Sequence, residues 1–342
     1  MQETRLGRTG MSIRRLGFGG IPVQTVGREQ ALETVRHAYE RGINFFDTAQ
    51  AYTTSEGIIG EALADVRHDV FLATKSGGKD VETVTRHLAA SLKSLRTDHI
   101  DLYQLHNVVG DEALEKLLAR GGVLDYLKSQ REAGSIRHIG ITSHRLETAI
   151  KAVRTGEFAT IQFPFNYIEH DAAAELFPLA RRMDVGIIVM KPIAGGAMTH
   201  PAASIKWILN QVTDVVIPGM ESKELVDKNI AAAEQGPPSE QELVALQQLA
   251  DELGPVFCRR CAYCLPCPQG IPVNFLASAE LFFNRSGWHK LDGSHVESFR
   301  KGLDCAGCKV CEGRCPYNLP LSRIVPESSA KMLEKARALG KC

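Results

Sequence analysis

From residue 15 to about 219, short apolar, β-rich runs alternate with stretches whose apolar residues recur at helical spacing. The runs are Arg15–Gly19, Ile43–Asp47, Val70–Thr74, Ile100–Leu105, Ile136–Ile141, Thr160–Phe163, Gly186–Met190 and Val215–Pro218. Several are apolar almost throughout, as expected for parallel strands buried on both faces. Between them, Glu29–Arg41 places Ala31, Val35, Ala38 and Tyr39 on one helical face, and Val81–Leu95 and Ala113–Gln130 behave alike. Eight strands, each followed by a helix, predict an α/β fold of the TIM (β/α)8 barrel type.

A further helix is expected over Ser239–Leu253, broken by Gly254-Pro255. Beyond the break the pattern changes to a helix at Asn274–Asn284 and another at Ser328–Leu339, each between or after dense cysteine runs. The reading is a barrel over 1–252 and a small, mainly helical, ferredoxin-like domain over 253–342.

Composition adds little to this picture. Apolar content of 44% supports a sizeable core, and charged content of 23% is ordinary. Net charge is zero but uneven: residues 253–342 carry 13 Lys and Arg against 7 Asp and Glu, and the barrel carries the opposite excess. The basic tail could meet an acidic partner such as a small ferredoxin or flavodoxin; its own acidic neighbour is the plainer match. No block of like charge resembles a nucleic-acid arm, and no apolar run approaches the ~20 residues of a membrane span. The N-terminus lacks a signal-peptide pattern.

Cysteine is where composition changes the reading. Eight lie in two runs: Cys258, Cys261, Cys264 and Cys267, followed by Pro268, then Cys305, Cys308, Cys311 and Cys315, followed by Pro316. A C-x2-C-x2-C run closed by Cys-Pro is a ligand pattern for a 4Fe–4S cluster, the fourth Cys of each run reaching across to the other cluster. Two clusters are expected, one on Cys258, Cys261, Cys264 and Cys315, the other on Cys305, Cys308, Cys311 and Cys267. The first run has two residues before its last Cys where bacterial ferredoxins have three. Zinc sites favour paired C-x2-C units instead. A Cys-poor body with a Cys-rich appendage points to metal ligation in the cytoplasm rather than to a disulfide scaffold. Cys342 belongs to neither run and reads as a free thiol.

The barrel has its own chemistry. Its predicted strands end in Asp47, with Tyr52 shortly after, in Lys75, and in His106. Strand C-termini are where this fold places its active site. Together they make a proton-donating set: Lys75 would lower the Tyr52 pKa from its usual ~10, Asp47 would hold Lys75, and His106 would orient a substrate oxygen.

These motifs resemble the aldo/keto reductase family, over residues 1 to about 235. Arg5-Leu6-Gly7-Arg8-Thr9-Gly10, Leu16-Gly17-Phe18-Gly19-Gly20, Phe46-Asp47-Thr48-Ala49 with Tyr52, Thr74-Lys75, and Asp101 through His106 occur in that family's order. The resemblance implies a reductase of aldehydes and ketones, or an alcohol dehydrogenase, dependent on NADP(H) or NAD(H), with Asp47, Tyr52, Lys75 and His106 as the catalytic tetrad. It implies cofactor contacts at Gly20, at Thr142 and Ser143, at Gln162, and at Pro218, Gly219 and Asn229. Met190 stands where many members stack a tyrosine on the nicotinamide; a thioether can pack there too. The places that grip a 2′-phosphate hold Gly219, Met220 and Leu225, with Lys223 and Lys228 nearby. The Cys runs resemble the ferredoxin-type modules appended to a subset of the family. No flavin motif is evident. The alternative is an electron-transfer or partner-binding iron–sulfur protein on a repurposed reductase barrel.

Overall fold

The computed structural model describes residues 1–342 except Pro255, Gly287 and Cys342, and except the side chains of Arg285 and Ser286. The expected helix break at Pro255 and the free thiol at Cys342 lie outside the described residues. The chain divides into two compact units, one of Met1–Ala194 and Met198–Gln248, the other of Gly195–Ala197 and Leu249–Cys342.

The first unit is a barrel. Its strands are β1 (Phe18–Gly19), β2 (Phe45–Asp47), β3 (Phe71–Ser76), β4 (Ile100–Leu105), β5 (Ile136–Thr142), β6 (Thr160–Pro164), β7 (Gly186–Met190) and β8 (Val215–Val216). Each pairs in parallel with the next. Parallel bridges Leu16–Val216 and Gly19–Gly219 close β8 onto β1. At this seam the backbones meet so closely that a Cβ on Gly19 would lie 2.7 Å from the Ile217 and Pro218 carbonyl oxygens. Pairing across the seam is confined to those two bridges, so both seam strands are shorter than the predicted Arg15–Gly19 and Val215–Pro218.

The surrounding helices are α1 (Arg28–Glu40), α2 (Ser55–Ala62), α3 (Val81–Ser94), α4 (Asp111–Leu118), α5 (Val123–Glu132), α6 (Leu146–Arg154), α7 (Leu176–Arg182), α8 (Pro201–Leu209), α9 (Lys223–Glu234) and α10 (Glu240–Leu253). The single helix expected over Ala113–Gln130 is two, α4 and α5. Between them Gly121 takes a left-handed φ of 71°, and two adjacent glycines weaken any helix that would run through.

Strand alternation sorts the barrel's residues. Phe46, Leu72 and Tyr103 pack outward under the helices in the large core. Phe45, Ala73, Leu102, Ile188 and Val215 form a separate core with Leu6, Met11 and Ile13. Those last three belong to an N-terminal segment whose strands Glu3–Arg5 and Ser12–Arg14 pair antiparallel. The sequence reading missed this hairpin, since two three-residue strands leave almost no periodicity.

Packing around α2 gives a direct test. A Cβ on Gly60 would lie 2.5 Å from the Leu95 backbone. Gly60→Ala should therefore lower stability by ~1–3 kcal/mol through overpacking, although alanine is ~1 kcal/mol the better helix former. A drop in the midpoint of denaturant unfolding is expected, and a rise would show that α2 is free to shift.

The second unit contains α11 (Val273–Leu276), α12 (Ala279–Ser286), α13 (Gly293–Leu303), α14 (Val310–Arg314) and α15 (Leu321–Ala338), with no strand among the described residues. The helix expected at Asn274–Asn284 is broken into α11 and α12. Helix α13 was not anticipated, although Asp292 caps it, accepting from the Ser294 and His295 amides. Phe275, Phe283 and Phe299 pack as the aromatic centre of this unit. Buried Cys264 and Cys315 join the same apolar core.

Candidate active site

Two residues beyond the lumen-facing Phe45, Ala73 and Leu102 stand Asp47, Lys75 and Gln104. Period-two alternation turns all three inward at the C-terminal ends of β2, β3 and β4. Lys75 is buried, only 1% exposed. It is therefore no solvated surface lysine, and its ammonium must be paired. Nζ donates to Asp47 Oδ1 at 2.5 Å and to the Thr48 carbonyl at 2.7 Å. The other carboxylate oxygen of Asp47 accepts from Gln104 Nε2 at 3.2 Å, and Gln162 also bonds to this carboxylate. Burial pushes the Asp47 carboxyl up and the Lys75 ammonium down, and their contact works against both shifts.

Tyr52 lies in the turn between β2 and α2. Its amide donates to the Ala49 carbonyl and its own carbonyl accepts from the Ser55 amide. Ser55 Oγ accepts from Thr48 Oγ1 and donates to the Gly20 carbonyl, each at 2.8 Å. Glu56 accepts from Thr74 Oγ1 at 2.6 Å. These bonds pin the start of α2 to β2 and β3 and so fix the turn that carries Tyr52. The Tyr52 ring has Lys75 Nζ 5.3 Å from its centroid and packs edge-on to His106 at 5.8 Å.

The tetrad is thus assembled, but its electrostatics differ from the sequence expectation. Tyr52 is raised above its ordinary pKa, by burial first and by the Asp47 charge second. Lys75 was expected to lower it; instead its ammonium is committed to Asp47 and Thr48. Burial, with Lys75 beside it, pushes His106 down to about 3, so at neutral pH its imidazole is uncharged. The site therefore offers a neutral phenol and a neutral imidazole over a buried ion pair.

The remaining expected contacts lie on other strands, loops and helices of the barrel. Thr142, at the end of β5, pairs with Gln162 in the middle of β6. Thr142 Oγ1 accepts from the Asn107 amide at 2.7 Å. The Ser143 hydroxyl is committed to its own loop, donating to the Val108 carbonyl at 2.7 Å. Gly20 donates its amide to the Asp47 carbonyl at 2.8 Å. Met190 ends β7, half-buried, Pro218 and Gly219 lie at the β8–β1 seam, and Asn229 is buried on α9. Lys223 and Lys228 pair with Glu33 and Glu224.

His144 was missed by sequence reasoning, and Gln104 and Asn107, though at the end of the fourth strand, were given no role there. Gln104 carried a signal, an amide inside the apolar run Ile100–Leu105. Asn107 and His144 follow motif residues directly and bond to each other, Oδ1 to Nδ1, at 3.0 Å. Asn107 also takes a left-handed φ of 52°, which no pattern in the sequence announces.

In the second unit the eight described cysteines form no disulfide. Cys264 is pushed up to about 12 by burial and by the neighbouring thiols of Cys258, Cys261 and Cys315. Those four are the set expected for one cluster. Cys311, raised chiefly by burial, feels Cys305. The Arg260 amide donates to Cys258 Sγ at 3.4 Å. No three His, Cys, Asp or Glu side chains among the described residues gather closely enough for a single metal ion. A cubane bridges its ligands through an inorganic core, so its thiolates stand farther apart than those around one ion. The all-sulfur donor set fits such a cluster.

A β/α barrel with a buried Lys–Asp pair, a tyrosine and a histidine at its C-terminal rim defines an oxidoreductase of the reductase-barrel class. Residues 15–203 match the aldo/keto reductase family, and the chain belongs to it. Residues 257–320 match a 4Fe-4S dicluster domain. An uncharacterized oxidoreductase of Bacillus subtilis, YqkF, is 28% identical over 214 residues, 58% of this chain and 67% of the relative. The holo aldo-keto reductase AKR11C1 of Bacillus halodurans superposes with a TM-score of 0.64 at 24% identity, covering 73% of this chain and 96% of its own. An aldo-keto reductase from Klebsiella pneumoniae in complex with NADPH gives 0.60 at 22% identity, covering 73% and 95%.

Proposed function

We propose that this chain is an NAD(P)H-dependent reductase of aldehydes or ketones, or an alcohol dehydrogenase in reverse, with two 4Fe–4S clusters in its second unit. The observation that carries the reading is the buried Lys75–Asp47 pair beside Tyr52 and His106. A bound nicotinamide supplies hydride to a carbonyl carbon. Tyr52 gives the carbonyl oxygen its phenolic proton, and the Lys75 charge, 5.3 Å from its ring though bonded to Asp47, offsets only part of the negative charge left behind. Neutral His106 donates a hydrogen bond that orients that oxygen. Asp47 keeps Lys75 charged and fixed.

The carbonyl oxygens of Gln104 and Gln162 are buried without a partner among the described residues. An unmet buried acceptor costs ~1–3 kcal/mol. The Gln162 oxygen fits the amino group of a nicotinamide carboxamide, which is where the family resemblance puts that contact. Thr142, Ser143 and Met190 would flank the ring, and Gly20, Pro218, Gly219 and Asn229 would follow the rest of the dinucleotide. The uncharged Gly219, Met220 and Leu225 make NAD(H) as suitable as NADP(H). They also keep open the alternative of an electron-transfer protein on a repurposed barrel, against which the assembled tetrad speaks.

Cys258, Cys261, Cys264 and Cys315 would hold one cluster, and Cys305, Cys308, Cys311 and Cys267 the other. Oxygen-labile clusters and thiols suit the cytoplasm, and a ferredoxin or flavodoxin is the matching one-electron partner. Among the described residues no helix is long and apolar enough to cross a membrane. The test is anaerobic purification followed by titration with NADH and NADPH and a screen of small carbonyls. Binding of at least one nucleotide and its oxidation by a carbonyl are expected. Binding of neither, with no turnover, removes the reductase reading.

A further inference from the structure

A cluster ligated by four thiolates is negative, and each electron it accepts makes it more so. Burial penalises that added charge, as it does for any buried anion. Two of the four thiols of the first set, Cys264 and Cys315, are buried, whereas Cys308 in the second set is exposed. An inner cluster in such surroundings is hard to reduce unless positive charge is built in beside it.

The structure places one there. Arg259 follows Cys258 directly and is buried, with 7% of its surface exposed. Its guanidinium carbon sits 3.9 Å from the centroid of the Phe257 ring and 4.6 Å from that of Tyr317, two residues beyond Cys315. One Nη donates to the Phe257 carbonyl at 2.6 Å. A planar cation over two aromatic rings is held by both quadrupoles, and guanidinium, the more weakly hydrated cation, tolerates this burial better than ammonium. Phe257 directly precedes Cys258, and Tyr317 lies two residues beyond Cys315. The guanidinium is therefore held against two chain segments that each carry a ligand of the same predicted cluster.

We propose that Arg259 raises the reduction potential of the cluster held by Cys258, Cys261, Cys264 and Cys315, and that Phe257 and Tyr317 hold its charge in place. This rests on the cluster assignment above. Charge near a cluster is one of the terms that set its potential, and groups behind the ligands tune it. The electron in question is any one-electron reductant's, taken up by the cluster with no bond made or broken in the protein.

The test is a spectroelectrochemical titration of the anaerobic full-length protein, with iron and sulfide measured on each sample. A Cys308→Ser variant, which perturbs the exposed set, identifies the outer wave. In Arg259→Gln the inner wave should move to lower potential while the outer wave stays in place. Arg259→Lys should move it less, and Tyr317→Leu, which keeps the charge but frees it, should shift it the same way by a smaller amount. If Arg259→Gln fails to retain iron, the other two variants carry the result. Full iron with the inner wave unmoved in all iron-retaining variants overturns the role of Arg259. Equal movement of both waves overturns it too, as a global effect. A wild-type chain without iron overturns the cluster assignment itself.

Discussion

Changing Tyr52 to Phe should lower carbonyl reduction by 10²- to 10⁴-fold, the usual contribution of a positioned proton donor. The loss should fall in kcat, with nucleotide binding and the visible cluster spectrum unchanged. The ring contacts with His106 and Lys75 survive the substitution, so the fold loses only a hydroxyl. Lys75 is the poorer target. Removing its ammonium leaves the 3%-exposed Asp47 carboxylate unpaired, and breaking a buried pair costs ~3–5 kcal/mol, so lost activity would be confounded with lost structure. An unchanged rate in Tyr52→Phe would remove Tyr52 from its role.

The electrostatics add a pH signature. Burial raises Tyr52, so the proton donor should stay loaded through the alkaline range, and the reduction rate should show no fall below pH 10 attributable to this group. His106 works in the opposite range. Its folded pKa, near 3, lies below the unfolded ~6.5. The unfolded chain then binds the extra proton first, so stability is fully present above pH ~6.5 and falls as pH drops toward 3. His106→Gln should flatten that acid slope in unfolding midpoints measured between pH 7 and 4.

Much of this site was written in the sequence because the barrel imposes its own grammar. A strand interior is apolar, so Asp47 and Lys75 at strand ends announce themselves. The pairing of Asn107 with His144 was invisible because a left-handed backbone at Asn107 and one hydrogen bond bring them together. The pKa of Tyr52 was misjudged for a related reason. Residue type says that a lysine is near a tyrosine, but only geometry says that two of the lysine's three N–H donors are directed at Asp47 and Thr48. The seam strands came out short since closure rests on two isolated bridges, Leu16–Val216 and Gly19–Gly219, which periodicity does not record.

Cys264 is where the second unit should fail most sharply. It belongs both to the thiol set with Cys258, Cys261 and Cys315 and to the unit's apolar core with Leu276, Phe283 and Phe299. A site assembled only in the folded state makes its binding energy into folding energy. Cys264→Ala should leave the chain with about half its iron, on the expectation of two four-iron clusters, and should lower the thermal midpoint of the helical unit. Iron analysis and calorimetry decide this: a full complement would strike Cys264 from the ligands. The same variant bears on how the two units cooperate. A nicotinamide gives two electrons at once and a cluster takes one, so coupling ordinarily needs a group that splits the pair. With none evident in the sequence, NAD(P)H-linked carbonyl reduction should survive Cys264→Ala, while reduction driven by a one-electron donor should not. Loss of both activities in a folded barrel would mean that the clusters lie on the path of the hydride chemistry after all.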